Sequence, residues 1–141
     1  MEHCSHFAFV APELASVLNE LRQREPIFHT LAFGITRKQL ERSTAPDYWE
    51  IGASGRRYSR DFVLDTVTSR SDLNQSVDQH WDTSQFGLRR LGPQTFLLTY
   101  TLEYAGRRTR RSTIWESTEE GWRALFHQGT LIVHEGDDTL R

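Results

Sequence analysis

The second half of the chain carries the pattern that most constrains its fold. From about residue 76 onward, apolar and polar residues alternate with a period of two, which is typical of strands with one buried face. Turn sequences at 92–93, 105–106 and 119–121 divide the pattern, and strands joined by such short turns pair antiparallel. The chain is therefore predicted to end in a four-stranded antiparallel meander, formed by SVDQHWDTSQFGLRRLG, QTFLLTYTLEY, RRTRRSTIWES and GWRALFHQGTLIV.

Helical spacing characterises the beginning of the chain. After Pro12, which suits the first turn of a helix, apolar residues recur every three or four positions. This spacing predicts an amphipathic helix over residues 12–24. Pro26 lacks an amide hydrogen and crowds the preceding turn, so the helix either kinks there or restarts with Glu25 at its positive end. The residues that define the apolar stripe are Leu14, Val17, Leu18 and Leu21.

A short helix and a strand are predicted next. Thr36 and Gln39 have the spacing of a capping box, so a helix should run over about residues 37–44 and stop at Pro46. Alternation over residues 47–55 then predicts a strand. Its two faces should carry Tyr48, Glu50 and Gly52 on one side and Trp49, Ile51 and Ala53 on the other.

A third helix is predicted after Tyr58. Ser59 suits the N-cap position, and Asp61 favours the positive end of the helix dipole. Phe62 and Val63 begin an apolar stripe, and residues 69–76 should form a loop. Helices followed by a run of strands indicate an α+β fold in which helices pack on one face of a curved sheet.

Length and composition limit the class of protein. The 141 residues suit one domain, which we place at residues 12–132, with an N-terminal extension over 1–11 and a tail over 133–141. The net charge of −2 gives no general attraction to nucleic acid, and no apolar run reaches the length that spans a bilayer. A cytoplasmic protein is expected, and the single Cys4 excludes an intramolecular disulfide.

Three segments of the chain resemble a known family. DYWEIGASGRRY (47–58), RRLGPQTFLLTY (89–100) and RSTIWES with GWRALFHQGT (111–130) are similar to the SnoaL-like branch of the nuclear-transport-factor-2-like superfamily, in particular to small bacterial domains of unknown function. The resemblance implies a cystatin-like, cone-shaped α+β fold, in which a curved, mostly antiparallel sheet wraps around the N-terminal helices. It also implies a pocket at the open end of the cone and a homodimer, without a cofactor.

The resemblance does not select one reaction, because this fold hosts isomerases, dehydratases, hydrolases and non-catalytic modules. Where ketosteroid isomerases of the superfamily keep an aspartate base, a rough match places Gly52 here. Glu50 lies two residues earlier on the same strand face and becomes the acid or base candidate, with His127 as its partner. Alternatively, Glu50 pairs with Arg56 or Arg57, and His127 holds the strand end through a backbone carbonyl.

The direction of His127 depends on strand parity. On an unbroken strand, His127 and Gln128 point to opposite faces, and a bulge would exchange them. Gly129 makes a bulge conceivable, so either side chain could face the pocket. The remaining candidates for the pocket wall are the large aromatic residues, which otherwise fill the core and a dimer interface: Trp49, Tyr58, Trp81, Tyr100 and Trp115.

The remaining clusters of charged or metal-ligating residues do not indicate a further binding site. RRTRR (107–111) lies beside a turn, its arginines divide between two strand faces, and no aromatic residues interleave with it, so a solvated hairpin is favoured over a nucleic-acid site. HCSH (3–6) has no fourth ligand nearby, and no metal site is expected. His29 is expected at the surface, and His80 with Asp82 could form an orienting pair on one strand face.

Two functions remain open from the sequence. The first is a small homodimeric protein that binds a small, largely apolar molecule, with Glu50 and His127 in acid-base chemistry of the isomerase, dehydratase or hydrolase type. The second is a non-catalytic dimerisation or ligand-sensing module, like the association domains attached to some kinases.

Overall fold

The structure, a computed structural model, describes residues 10–28, 36–72 and 81–133. The histidines at 29 and 80 and the HCSH segment lie outside these residues, as do residues 73–80, where the first meander strand was expected to begin. Within the described part, no helix combines the length and the apolarity that crossing a membrane requires.

The predicted first helix is divided at its proline. A 3₁₀ turn at Pro12–Leu14 leads into helix α1 (Ala15–Arg22), and a second 3₁₀ turn, Glu25–Phe28, follows after a break. Of the two expected outcomes at Pro26, the chain therefore restarts, with Glu25 as the first residue of the new turn. This restart turns Glu25 into the interior, where the residue is 2% exposed.

The next two helices begin where their capping residues predict. Helix α2 (Arg37–Ser43) starts after Thr36, whose hydroxyl accepts from the Gln39 amide while the Gln39 side chain accepts from the Thr36 amide. Helix α3 (Arg60–Asp72) starts after Ser59, whose hydroxyl accepts from the Phe62 amide. The loop predicted over 69–76 is wrong in its first part, because α3 continues to Asp72.

Six strands form one sheet in the order β2-β1-β6-β5-β4-β3. The four meander strands pair antiparallel in chain order, as predicted. The single parallel contact joins β1 to β6, which brings the strand before α3 back against the last strand of the meander. The strands are β1 (Thr44–Ile51), β2 (Arg57–Ser59), β3 (Trp81–Arg90), β4 (Thr95–Tyr104), β5 (Arg107–Thr118) and β6 (Gly121–Leu131).

Strand β1 differs from its prediction in length and in partner. It begins at Thr44 rather than at residue 47 and ends at Ile51. The chain then turns through Gly55, which has a φ of 92°, and returns as β2, a strand that the sequence pattern did not indicate. A three-residue strand is too short to produce a readable alternation, which explains why it was missed.

The core lies between the helices and one face of the sheet. Leu21 of α1 belongs to one buried cluster with alternate residues of β4 and with Trp115 of β5, and the helices thus cover the inner face of a curved, mostly antiparallel sheet. The predicted α+β architecture is confirmed. The buried residues of this cluster are Leu21, Tyr48, Leu88, Phe96, Leu98, Tyr100, Leu102, Trp115 and Ala124.

A bulge in β6 sets which residues face the core. Trp115 pairs with Ala124 and Ile114 pairs with Phe126, so Leu125 is the extra residue. Because one inserted residue exchanges the two faces, His127 follows Ala124 onto the inner face, and Gln128 lies on the outer face. The bulge that Gly129 made conceivable therefore exists, but it lies four residues earlier.

Candidate functional site

A cavity of about 310 Å³ lies between the second 3₁₀ turn, the β1–β2 hairpin and helix α3. This volume is at the lower end of the range for small-molecule pockets. Most of its wall is hydrocarbon or aromatic, and three polar residues interrupt it. The lining residues are Ile27, Phe28, Glu50, Arg56, Tyr58, Phe62, Val63 and Thr66.

Glu50 carries the only carboxylate among these lining residues. The Tyr48 hydroxyl donates to Oε1 of Glu50 at 2.6 Å, and Oε2 has no hydrogen-bond donor among the described residues. Burial raises the pKa of Glu50 above its usual range, while the hydrogen bond from Tyr48 and the charge of Arg111 hold it down. One oxygen of a desolvated carboxyl group therefore remains available at the cavity wall.

His127 is adjacent to Glu50 but does not line the cavity. The two residues are register partners on the parallel strands β1 and β6, so their side chains leave the same face. The His127 ring is 2% exposed and stacks on Phe28, with 4.4 Å between ring centroids. Phe28 itself forms part of the cavity wall, so His127 supports the wall from behind.

Glu25 is the most buried acid of the described residues and lies beneath this wall. Its carboxylate accepts from the Tyr100 hydroxyl at 2.5 Å and from the Trp115 indole N–H at 2.7 Å. Burial raises the pKa of Glu25 to about 7, against the opposing effect of hydrogen bonds from Tyr100, Trp115 and Thr113. These bonds fix the second 3₁₀ turn, and with it Phe28, to the inner face of the sheet.

The hydrogen bonds around His127 run in one direction. Arg111 can only donate, so Nε2 of His127 accepts from Arg111 Nη1 at 3.3 Å. Nδ1 then carries the ring proton and donates to Thr113 Oγ1 at 2.7 Å. Nδ1 of His127 also lies 3.9 Å from Oε1 of Glu25. The two hydrogen bonds require a neutral His127, which contacts both Arg111 and Glu25.

Arg111 lies on the inner face of β5, and its charge acts on both carboxyl groups. Its Nε donates to Thr109 Oγ1 at 2.9 Å, and its charge lowers the pKa of both Glu25 and Glu50. Burial lowers the pKa of Arg111 itself. The solvated hairpin proposed for residues 107–111 is therefore wrong for this arginine, because period-two geometry turns it inward with Thr109 and Thr113.

Some of the predicted site residues lie close together in the structure, and others lie far apart. Glu50 and Tyr58 line the same cavity, and Tyr100 and Trp115 lie in the core around Glu25. Trp49 and Gln128 are on the outer face, where Trp49 is 42% exposed. Trp81 begins β3, at the opposite edge of the sheet. The site residues that stay near one another are Glu50, Tyr58 and His127.

Within the described residues, neither Arg56 nor Arg57, the two arginines expected as alternative partners, forms an ion pair with Glu50. Arg56 lines the same cavity, and Arg57 pairs only by strand register with Ile51. Gly52, at the position matched to the isomerase base, lies against Tyr58: a Cβ atom there would be 3.0 Å from Cε2 of that ring. A longer side chain at this position would therefore displace Tyr58 from the cavity wall.

Sequence analysis did not identify Glu25 and Arg111 as site residues, although a signal existed for each. Glu25 continues the spacing of Leu18 and Leu21 on α1, so an acid falls within an apolar stripe. Arg111 alternates with Thr113 and Trp115 on β5. In both cases the apolar pattern places a charged residue on the buried face. For Glu25, the helix break at Pro26 obscured this signal.

Within the described residues, no three His, Cys, Asp or Glu side chains come together as a metal-binding group. Both carboxyl groups accept hydrogen bonds from tyrosine hydroxyl groups, and Glu25 also accepts one from the Trp115 indole.

No protein-family model matches the sequence, and no curated protein matches it either. Solved structures do match. An NTF2-like protein of unknown function from Silicibacter pomeroyi is 20% identical, with a TM-score of 0.60, 88% of this chain covered and 100% of the other. An uncharacterised protein with a cystatin-like fold from Caulobacter vibrioides is 18% identical, with a TM-score of 0.62 and coverages of 85% and 90%.

A third similar structure is described as a putative Ca/calmodulin-dependent kinase II association domain, from Exiguobacterium sibiricum. It is 18% identical, with a TM-score of 0.55, and the match covers 89% of this chain and 98% of the other. At these identities the similarity establishes the fold: the chain has the NTF2-like, cystatin-like fold that its sequence motifs indicated.

Proposed function

We propose that this protein binds a small, largely apolar molecule in the 310 Å³ cavity and that Glu50 exchanges a proton with it. One observation carries the proposal: a desolvated carboxyl group with a free oxygen stands in a wall that is otherwise mostly apolar. A carboxyl group in such surroundings is a stronger base than in water when ionised, and it is a hydrogen donor when protonated.

The chemistry would need no cofactor. Glu50 Oε2 removes a proton from an acidified C–H or O–H of the ligand, while Oε1 keeps its hydrogen bond from Tyr48. The proton can then return to another atom of the ligand, which is an isomerisation, or remain while a leaving group departs, which is an elimination. His127 acts as a positioning residue, because it touches Phe28 and Arg111 rather than the cavity.

The acid-base part is tested with 5-nitrobenzisoxazole, a flat apolar compound. A base removes the proton on C3, the C–H electrons form the nitrile, and the N–O bond breaks to give a coloured phenolate. We expect the wild-type protein to accelerate this elimination about a hundredfold over Glu50→Gln, in line with general-base catalysis. Glu116→Gln on the outer face is the matched control and should keep the wild-type rate, since Glu116 is paired with Arg123.

Binding is measured separately, by NMR titration with a non-reactive analogue of this compound that carries a methyl group on C3. Shifts confined to residues around Phe28, Tyr58 and Val63 would support the cavity as the binding site. Equal elimination rates in wild type and Glu50→Gln would exclude Glu50 as the base, and absent shifts would exclude the cavity as a binding site.

The second candidate function, an assembly module, is supported by the outer face of the sheet. Trp49 contacts Phe126 at 4.8 Å between ring centroids, and register places these two in one row with Ile114 and Leu97 across four strands. An apolar row on an open sheet face favours association. We propose that two copies pair through this row, an arrangement compatible with ligand binding on the inner face.

A further inference from the structure

The guanidinium group of Arg111 has more donors than the described residues use. Nε donates to Thr109 and Nη1 donates to His127, and both acceptors are uncharged. No carboxylate of the described residues lies within ion-pair distance of this group. A cation drawn out of water is costly unless an anion or several strong acceptors compensate for it.

The fold holds this partly buried cation in place. The side chain lies flat over Gly129 of β6: a Cβ atom at that position would be 2.9 Å from Cζ and from Nη1 of Arg111. The Thr109 and His127 bonds fix two sides of the group. What remains is the end formed by Nη1 and Nη2, the edge that binds a planar carboxylate with two parallel hydrogen bonds.

Arg111 is connected to the cavity wall through His127. Its Nη1 donates to His127 Nε2 at 3.3 Å, and His127 is the register partner of Glu50, which lines the cavity. When Glu50 is protonated, Arg111 loses one of the two carboxylates whose charges act on it. This combination of a fixed guanidinium and a carboxyl group able to donate is complementary to a carboxylate.

We propose that the ligand of this site is a small carboxylic acid with an apolar or aromatic body, whose carboxylate binds Arg111 while its body lies against Phe28 and Val63. The inference rests on the proposed function, because it names the chemical class of the molecule in the same cavity. Arg111 would then determine specificity for the anion, and His127 and Gly129 would hold the guanidinium group in position.

The test compares benzoate with benzamide, which have nearly the same shape but differ in charge. Affinity is measured by NMR titration at constant ionic strength. We expect benzoate to bind about tenfold more tightly than benzamide to the wild-type protein, since charge-assisted bidentate bonds exceed neutral ones by this order. Arg111→Met should bring benzoate to the benzamide affinity and leave benzamide unchanged.

Two further variants keep the outcome interpretable. Arg110→Met lies on the same strand but on the outer face, where Arg110 bonds Gln85 and Thr101, and it should retain the tenfold preference. Arg111→Lys preserves the charge if the Met variant does not fold, and it should bind benzoate at an intermediate affinity. Equal binding of both compounds to the wild type would overturn the carboxylate assignment and leave the cavity proposal intact, whereas binding of neither would overturn both.

Discussion

Gly129 leaves the space that the Arg111 guanidinium occupies, since a Cβ atom on residue 129 would lie 2.9 Å from Arg111 Cζ. The two residues are register partners on β6 and β5. Glycine is required here by this close approach rather than by an unusual backbone angle. The side chain above it is flexible at its end, so a methyl group would shift the guanidinium rather than the strand.

Gly129→Ala should therefore change the electrostatics of the site more than the stability of the fold. We expect the pKa of Glu50 to rise, because the attraction from Arg111 that lowers it weakens as the guanidinium moves away. The free energy of unfolding should fall by only about 1 kcal/mol. The measurement is a ¹³C NMR titration of the Glu50 carboxyl group, with Thr130→Ala as the neighbouring control. An unchanged Glu50 titration would show that Arg111 keeps its position.

Glu25 should make stability depend on pH. The folded protein holds this proton up to about pH 7, whereas the unfolded chain releases it near 4.5. The free energy of unfolding should consequently be greatest below this interval and fall as the pH rises through it, by about 3 kcal/mol in total. Urea titrations at pH 4.5 and pH 8 measure the difference.

The matched variant for this experiment is Glu25→Gln, which resembles the protonated acid and can still bond Tyr100 and Trp115. The free energy of unfolding of this variant should not show the fall that wild type shows between the two pH values. Parallel pH profiles for the two proteins would contradict a raised pKa at Glu25.

The bond between His127 and Thr113 should be measurable as a coupling energy. His127→Phe keeps the stacking on Phe28 but removes both ring nitrogens, and Thr113→Val removes the hydroxyl at constant shape. Each single variant should lose about 1 to 3 kcal/mol of stability, because it leaves a buried polar group without its partner. The double variant should cost about 1 kcal/mol less than the sum. Strict additivity in chemical denaturation would mean that the bond contributes nothing.

Trp49→Lys should separate the proposed dimer. A lysine in the outer row puts a charge where two apolar faces would meet, and we expect the dissociation constant to rise at least about a hundredfold. Analytical ultracentrifugation should give twice the 16.4 kDa of one chain for wild type and one chain mass for the variant. Leu91→Lys, at an exposed turn between β3 and β4, is the control and should remain dimeric. A monomeric wild-type protein at micromolar concentration would refute the assembly proposal.

Local patterns in the sequence determined much of this fold. The meander follows from period-two alternation and its turns, and the starts of α2 and α3 follow from Thr36 with Gln39 and from Ser59. These features depend on residues within a few positions of one another, so they can be recognised without the tertiary structure. The position of Glu50 on the same face as Tyr48 also followed from alternation alone.

The tertiary structure decided what this pattern could not. The extra residue at Leu125 turns His127 inward, and a bulge depends on how two strands pair rather than on either sequence by itself. The restart at Pro26 brings Glu25 to Tyr100 and Trp115, which are 75 and 90 residues away in the chain. Local sequence therefore determined which strands and helices form, whereas long-range pairing decided which charged side chains meet at the cavity.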